Sequence, residues 1–142
     1  MTVQEVKAKL NAVRVTYREY TLAEEKAERF REMISVPMPS AGSDAPKPEH
    51  SGNGTENKIV AALWYSEEVD KRFRRYILLS RKVESMINEL KYLDEREVLT
   101  RRYIMFEKWD DICAKMSIGK SRMFKLNERG IENLCEIYSK VE

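Results

Sequence analysis

The amino-acid sequence predicts an all-α fold in which a long helical coiled-coil hairpin precedes a C-terminal trihelical helix-turn-helix domain. Two long segments carry apolar residues at alternating steps of three and four, the spacing of helices that pair along one seam. The stretch between them contains all four prolines of the chain. The segments that follow are short and amphipathic. We therefore expect coiled-coil helices within residues 1–92 and the trihelical domain within residues 93–142.

The composition excludes several classes of function. A net charge of +2 over 142 residues is too small to indicate nucleic-acid binding by itself, so a basic surface would have to be local. Cys113 and Cys135 have no companion ligands at a metal-site spacing. The single histidine, His50, lies in the proline-rich stretch between the two long segments. We expect no metal, no cofactor and no enzymatic activity, because the chain also lacks a glycine-rich phosphate loop.

The first long helix is predicted over residues 3–34, which contain neither glycine nor proline. Its apolar positions form a heptad seam that favours pairing with another helix. The seam consists of Val3, Val6, Leu10, Val13, Tyr17, Tyr20, Ala27 and Ile34.

A flexible linker is predicted over residues 35–57, because prolines and glycines are concentrated there. The second long helix is predicted over residues 58–92, with the three-four rhythm unbroken. Its seam consists of Ile59, Ala62, Ser66, Val69, Phe73, Tyr76, Ser80, Val83, Ile87 and Leu90, widened by Leu63, Ile77 and Met86. The two helices either fold back on each other or pair between chains, and the width of the second stripe favours a homodimer.

The stretch Trp109–Leu134 has the pattern of a helix-turn-helix motif. A short amphipathic helix runs into a turn at residues 117–119, and a second helix begins at Lys120. The inward positions are Trp109, Ile112, Cys113, Met116, Met123, Leu126, Gly130 and Leu134. A preceding helix, predicted to begin with Asp94 as its N-cap and to end near Phe106, completes the trihelical unit.

Residue order in this region resembles a known family. From Met116 to Leu134 the chain is similar to region 4 of bacterial sigma factors and to phage-encoded late-gene activators of the ArpU and RinA kind. The run YLDEREVLTRRYIMFEKWDDIC before it resembles the preceding helix of that family. Cys113 stands where the family usually carries alanine, Ser117 where it carries glycine, and Gly119 where it carries a capping serine.

The resemblance implies a phage-encoded, sequence-specific regulator of transcription that binds double-stranded DNA in the cytoplasm of a bacterial host and contacts RNA polymerase. In such a motif the second helix enters the major groove. The residues expected to face the groove are Lys120, Ser121, Arg122, Lys125 and Arg129. Those expected to contact phosphates beside it are Arg101, Arg102 and Lys108. No membrane partner is expected, since no apolar run approaches membrane-spanning length.

Two other classes of function fit the same layout. A small terminase subunit, which packages phage DNA, also combines a helix-turn-helix with coiled-coil helices, and it assembles into rings. A helical protein-interaction module would explain the balanced charge of the C-terminal third. A ring-shaped oligomer would distinguish a terminase subunit from a regulator. A lack of DNA binding would distinguish a protein-interaction module from both.

Overall fold

A computed structural model describes residues 1–35 and 51–139, and this part of the chain is helical without a strand. The helices are α1 (Val3–Ser35), α2 (Ser51–Asn88), α3 (Leu93–Leu99), α4 (Trp109–Met116) and α5 (Lys120–Ser139). A single π-helical turn, Thr100–Ile104, follows α3 directly. The predicted all-α fold is confirmed.

The chain forms two compact units, and both long helices contribute to each. We call residues 18–74 the two-helix unit, and residues 1–17 together with those from 75 onward the motif unit. Within the two-helix unit α1 and α2 pair inside one chain. The rings of Tyr20 and Phe73 lie 5.1 Å apart and those of Phe30 and Tyr65 lie 4.4 Å apart. Because the later residue on α1 meets the earlier one on α2, the two helices run antiparallel there.

Helix α2 begins earlier than the sequence predicted. It starts at Ser51 instead of residue 58, so the last part of the predicted linker is helical, while residues 36–50 lie outside the described part of the chain. The last proline is Pro48. The helix-disfavouring residues between it and residue 58 are glycines, which cost about 1 kcal/mol each in a helix but do not block it as proline does. Helix α2 also ends sooner, at Asn88 instead of residue 92.

Most of the predicted seam positions in the motif unit are buried, although Val3 and Tyr17 are exposed. Val6, Leu10 and Val13 of α1 pack with Val83 and Ile87 of α2 in one core, and all five are fully buried. In the two-helix unit Ala27 is buried. Ile59 and Leu63, which the sequence assigned to the apolar stripe, are 47% and 60% exposed. A single helix can cover only one stripe of its neighbour, and the wide stripe of α2 exceeds it.

Helix α3 differs from its prediction at both ends. It begins at Leu93 with Tyr92 at the N-cap, where the side chain makes no capping hydrogen bond, so Asp94 lies inside the first turn instead of capping it. At this position the positive end of the helix dipole still stabilises the negative charge of the carboxylate. At the other end the Met105 N–H donates to the Thr100 carbonyl at 3.0 Å. This five-residue spacing marks a π-turn. The sequence did not predict it, because no glycine or proline interrupts the helical pattern there.

Gly130 permits the closest approach between α3 and α5. A Cβ placed on Gly130 would lie 2.9 Å from Cδ1 of Leu99, so only glycine accommodates the leucine in its present position. Leu99 is fully buried and packs with Ile131 and Leu134 in the same core as Val13 of α1. The helix-turn-helix therefore shares its core with the first turns of α1 and the last turns of α2.

A second, smaller core lies inside the helix-turn-helix. It contains Val98, Ile112, Met123 and Leu126, which are all buried. The half-buried residues packed against it are Trp109, Cys113, Met116 and Ile118. The inward positions predicted for the motif are thus confirmed as its packing face.

The turn between α4 and α5 is closed by a Schellman motif. Ser117 adopts a left-handed conformation with φ 56° and ψ 46°. The Ile118 N–H donates to the Cys113 carbonyl at 3.1 Å, and the Ser117 N–H reaches the Ala114 carbonyl at 3.4 Å. These two bonds satisfy the carbonyls left free at the end of α4. Serine carries the steric cost that glycine avoids at this position.

We expect Leu99→Ala to lower the free energy of unfolding by about 2–5 kcal/mol, the usual cost of emptying a fully buried leucine site. Leu93→Ala is the matched control, because Leu93 lies on the same helix and is 65% exposed, and it should change stability by less than about 0.5 kcal/mol. Urea unfolding followed by circular dichroism measures both values. Equal losses in the two variants would contradict the packing described for Leu99.

We expect Ser117→Gly to raise the free energy of unfolding by up to about 1 kcal/mol, because glycine adopts the left-handed conformation without a Cβ clash. Ser85→Gly, at an exposed position within α2, should instead lower it by about 0.5 kcal/mol. The same urea titration compares the two. A loss of stability in both variants would show that Ser117 bears no conformational cost.

Candidate nucleic-acid interface

The outward surface of α5 carries every residue that the sequence assigned to groove contact. Ser121 and Lys125 lie one turn apart on the side opposite the buried residues Met123 and Gly130, and all the predicted contact residues are exposed. Those residues are Lys120, Ser121, Arg122, Lys125 and Arg129. The basic ones belong to the first half of α5, which also contains Glu128, whereas Glu132 and Glu136 lie in the second half.

Two of these cations form ion pairs with neighbouring helices. The Lys120 Nζ lies 3.0 Å from the Asp110 carboxylate of α4, and both side chains are more than half exposed. This carboxylate raises the pKa of Lys120 through a hydrogen bond. On the other side of α5, Arg122 lies 3.6 Å from Asp94 of α3. Exposed pairs of this kind contribute roughly 0–1 kcal/mol, so a stronger ligand can replace the carboxylate.

Lys125 forms no ion pair within residues 1–35 and 51–139, and the same holds for Arg129. Arg129 lines a groove between α3 and α5 together with Arg122 and the acidic residues of α3. In this groove Glu95 is buried, and Asn133 donates a hydrogen bond of 2.6 Å to its carboxylate. Lys125 is therefore an exposed cation of the outward surface with no ion-pair partner to displace among the described residues.

Arg101 serves the fold in this structure. Its Nε donates to Glu97 at 2.8 Å and its Nη1 donates to Glu107 at 3.2 Å. Hydrogen bonding to Glu97, with smaller contributions from Glu107, raises the pKa of Arg101. Lys115 reaches the same Glu107 oxygen at 2.7 Å, and this bond is the main cause of the lowered pKa of Glu107. Glu107 thus ties the π-turn to α4, a role that local sequence patterns did not indicate.

Arg102 lies on a different side of the π-turn from these carboxylates. Its guanidinium carbon lies 4.2 Å from the centre of the Trp109 ring, and its Nη1 donates to the Glu107 carbonyl at 3.0 Å. Burial lowers the pKa of Arg102, and the nearby Arg14 guanidinium of α1 lowers it further. Lys108, the N-cap residue of α4, is exposed and adjoins Trp109.

Phe124 belongs to the outward surface of α5, although the sequence did not predict it there. Its ring lies 5.1 Å from that of Trp109, yet the side chain is 43% exposed. Phe124 lies one turn from Lys120 and Ser121 on α5. An apolar residue in the outward row of an otherwise polar helix surface was the available signal. Together Phe124 and Trp109 link the groove-facing surface of α5 to Arg102.

The described residues contain no group of three or more side chains suited to bind a metal ion. Cys113 and Cys135 are free thiols, and the Cys113 Sγ contacts the Met123 Sδ at 3.4 Å as part of the packing. In the same part of the chain, every helix is too short or too polar to cross a bilayer.

Comparison with known proteins gives one match. Neither a curated protein nor a solved structure matches the chain. A family model matches residues 54–135, which include most of α2 and the whole helix-turn-helix up to Cys135. Because this match covers more than half of the sequence, the chain belongs to the family described as "Protein of unknown function (DUF1492)".

Proposed function

We propose that the chain is a sequence-specific DNA-binding regulator of transcription that reads the major groove with α5. The observation that carries this proposal is the outward surface at the start of α5, where Ser121 and the unpaired Lys125 are flanked by Arg122 and Arg129. A helix with this polar and basic surface, presented after a tight turn, fits the width of the major groove of B-form DNA.

The individual roles follow from charge and reach. Lys125 and Arg122 are suited to the O6 and N7 acceptors of guanine, and Ser121 to a base or a phosphate. Lys108 and Arg102, beside the start of α4, are suited to the phosphates that border the groove. Arg101 contributes less to DNA in this proposal than the sequence suggested, because Glu97 and Glu107 already use its donors.

The resemblance to phage late-gene activators extends the proposal to promoter binding and to contact with RNA polymerase in the cytoplasm of a bacterial host. The two-helix unit supports a further part of it, a homodimer. Large apolar side chains there are more than half exposed: Leu22, Val60, Leu63 and Trp64. Soluble monomers rarely leave such side chains clustered on one surface.

We expect Lys125→Ala to weaken binding to the preferred DNA site by about 1–3 kcal/mol and to relax base preference at one position. The preferred site is first selected from a random-sequence duplex library with the full chain. Lys82→Ala is the matched control, since Lys82 is an exposed lysine on α2 with no ion pair among the described residues. Equal losses on selected and random duplexes in both variants would refute the role of Lys125 in base contact.

We expect light scattering to give a mass of about twice the 16.8 kDa of one chain, because burial of the exposed apolar surface of the two-helix unit favours a second copy. The measurement is repeated with Leu63→Glu, which should yield monomers if this surface is the contact. A monomeric wild-type chain would contradict the dimer. A large ring-sized assembly would instead favour the genome-packaging class.

A further inference from the structure

We propose that the first turns of α1 belong to the DNA-binding surface, with Arg14 and Arg102 together binding a phosphate of the DNA backbone beside the groove read by α5. This inference rests on the proposed function and extends it. It assigns to the N-terminal helix a direct contact with DNA in addition to pairing with α2.

The packing of α1 places Arg14 beside the π-turn. Val13, its neighbour in sequence, lies in the same core as Leu99 and Tyr103. Tyr17, one turn further along α1, has its ring 5.1 Å from that of Phe106. Contacts on both sides of Arg14 thus fix this part of α1 against residues 99–106, although Arg14 and Arg102 are far apart in the sequence.

The guanidinium group of Arg14 is near enough to that of Arg102 to affect it, and neither group forms an ion pair with a carboxylate among the described residues. Arg14 is exposed and pairs with no carboxylate among the described residues. The carboxylates near the π-turn are used elsewhere, since Glu107 binds Arg101 and Lys115. The proximity of Arg14 contributes to the lowered pKa of Arg102. Two adjacent guanidinium groups repel each other, and a bound anion removes that repulsion.

The sequence of α1 supports the same conclusion. Between Val6 and Tyr17 it contains Lys7, Lys9 and Arg14 but no aspartate or glutamate, although the whole chain has 24 acidic residues. Lys7 and Arg14 are seven positions apart, so they project from the same side of the helix, and both are exposed. This side of α1 is therefore uniformly basic.

The position of the pair relative to α5 favours a DNA phosphate over other anions. Arg102 lies over Trp109, and Trp109 contacts Phe124, which adjoins Ser121 and Lys125 on α5. A chain of side-chain contacts therefore leads from the proposed base-reading residues of α5 to Arg102, which Arg14 accompanies. In complexes of helix-turn-helix proteins the backbone phosphates run along both sides of the reading helix. Guanidinium groups match phosphate oxygens with paired hydrogen bonds.

The test compares Arg14→Ala with Arg29→Ala. Both variants remove one exposed arginine from α1, but Arg29 belongs to the two-helix unit. Binding of the full chain to a random-sequence duplex is measured over a range of salt concentrations. Loss of one phosphate contact should reduce the slope of log affinity against log salt by about one, and weaken binding roughly tenfold near 0.05 M salt. Arg14→Lys should retain most of the slope, since it keeps the charge.

The outcomes separate the two proposals. A reduced slope in Arg14→Ala and an unchanged slope in Arg29→Ala support the phosphate contact. If the wild-type chain binds DNA and both alanine variants behave alike, the contact by Arg14 is refuted while the proposed function stands. If the folded wild-type chain does not bind the duplex at low salt, the proposed function fails, and this inference fails with it.

Discussion

The close approach of Leu99 to Gly130 determines how the rest of the motif unit is arranged. Without a side chain at Gly130, α5 lies directly against α3, and Leu99 enters the core formed by the first turns of α1 and the last turns of α2. A Cβ at position 130 would force the end of the Leu99 side chain to move. The outward surface of α5 is consequently held by the same packing that pairs the two long helices in this unit, and buried apolar contacts are stiff to small displacements.

Much of this arrangement follows from local sequence patterns. The helix-turn-helix could be predicted because its helices are strongly amphipathic, and Ile112, Met123 and Leu134 are buried as that pattern requires. The turn at residues 117–119 was predicted, but the left-handed conformation of Ser117 was not, since serine carries a cost there that glycine does not. Helix ends were less predictable. The start of α2 and the N-cap of α3 depend on small differences in free energy between alternative capping residues and helix propensities. Packing of the neighbouring helical turns outweighs these differences.

Other features depend on contacts between distant residues, which periodicity does not encode. In the π-turn after α3, Arg101 binds carboxylates whereas Arg102 lies over Trp109. The sequence analysis assigned the same phosphate-contacting role to these two consecutive arginines. The proximity of Arg14 to Arg102 arises because Val13 and Tyr17 pack against the π-turn region. The sequence indicates a basic surface there only through the absence of acidic residues between Val6 and Tyr17.

The cations of the candidate interface differ in the free energy needed to move each of them from its carboxylate partner to DNA. Arg101 and Lys115 share Glu107, whose side chain is only 10% exposed. Moving either cation to DNA would leave that carboxylate partly uncompensated, so these two hold the structure in place. Lys120 and Arg122 are bound to exposed aspartates by pairs that are worth little in water. Among the described residues, Lys125 and Arg14 have no carboxylate to leave.

This difference bears on specificity under the proposed function. Asp110 and Asp94 lie on opposite sides of α5 and repel phosphates that approach out of register. Lys120 and Arg122 gain from DNA only where the new partner is better than an exposed carboxylate, as a guanine edge or a well-placed phosphate is. Lys125 meets no such restriction at a guanine edge, and Arg14 would attract any duplex through its phosphates. Under the proposed function, aspartates beside the reading helix limit nonspecific binding, and the basic side of α1 compensates for the affinity that those aspartates remove.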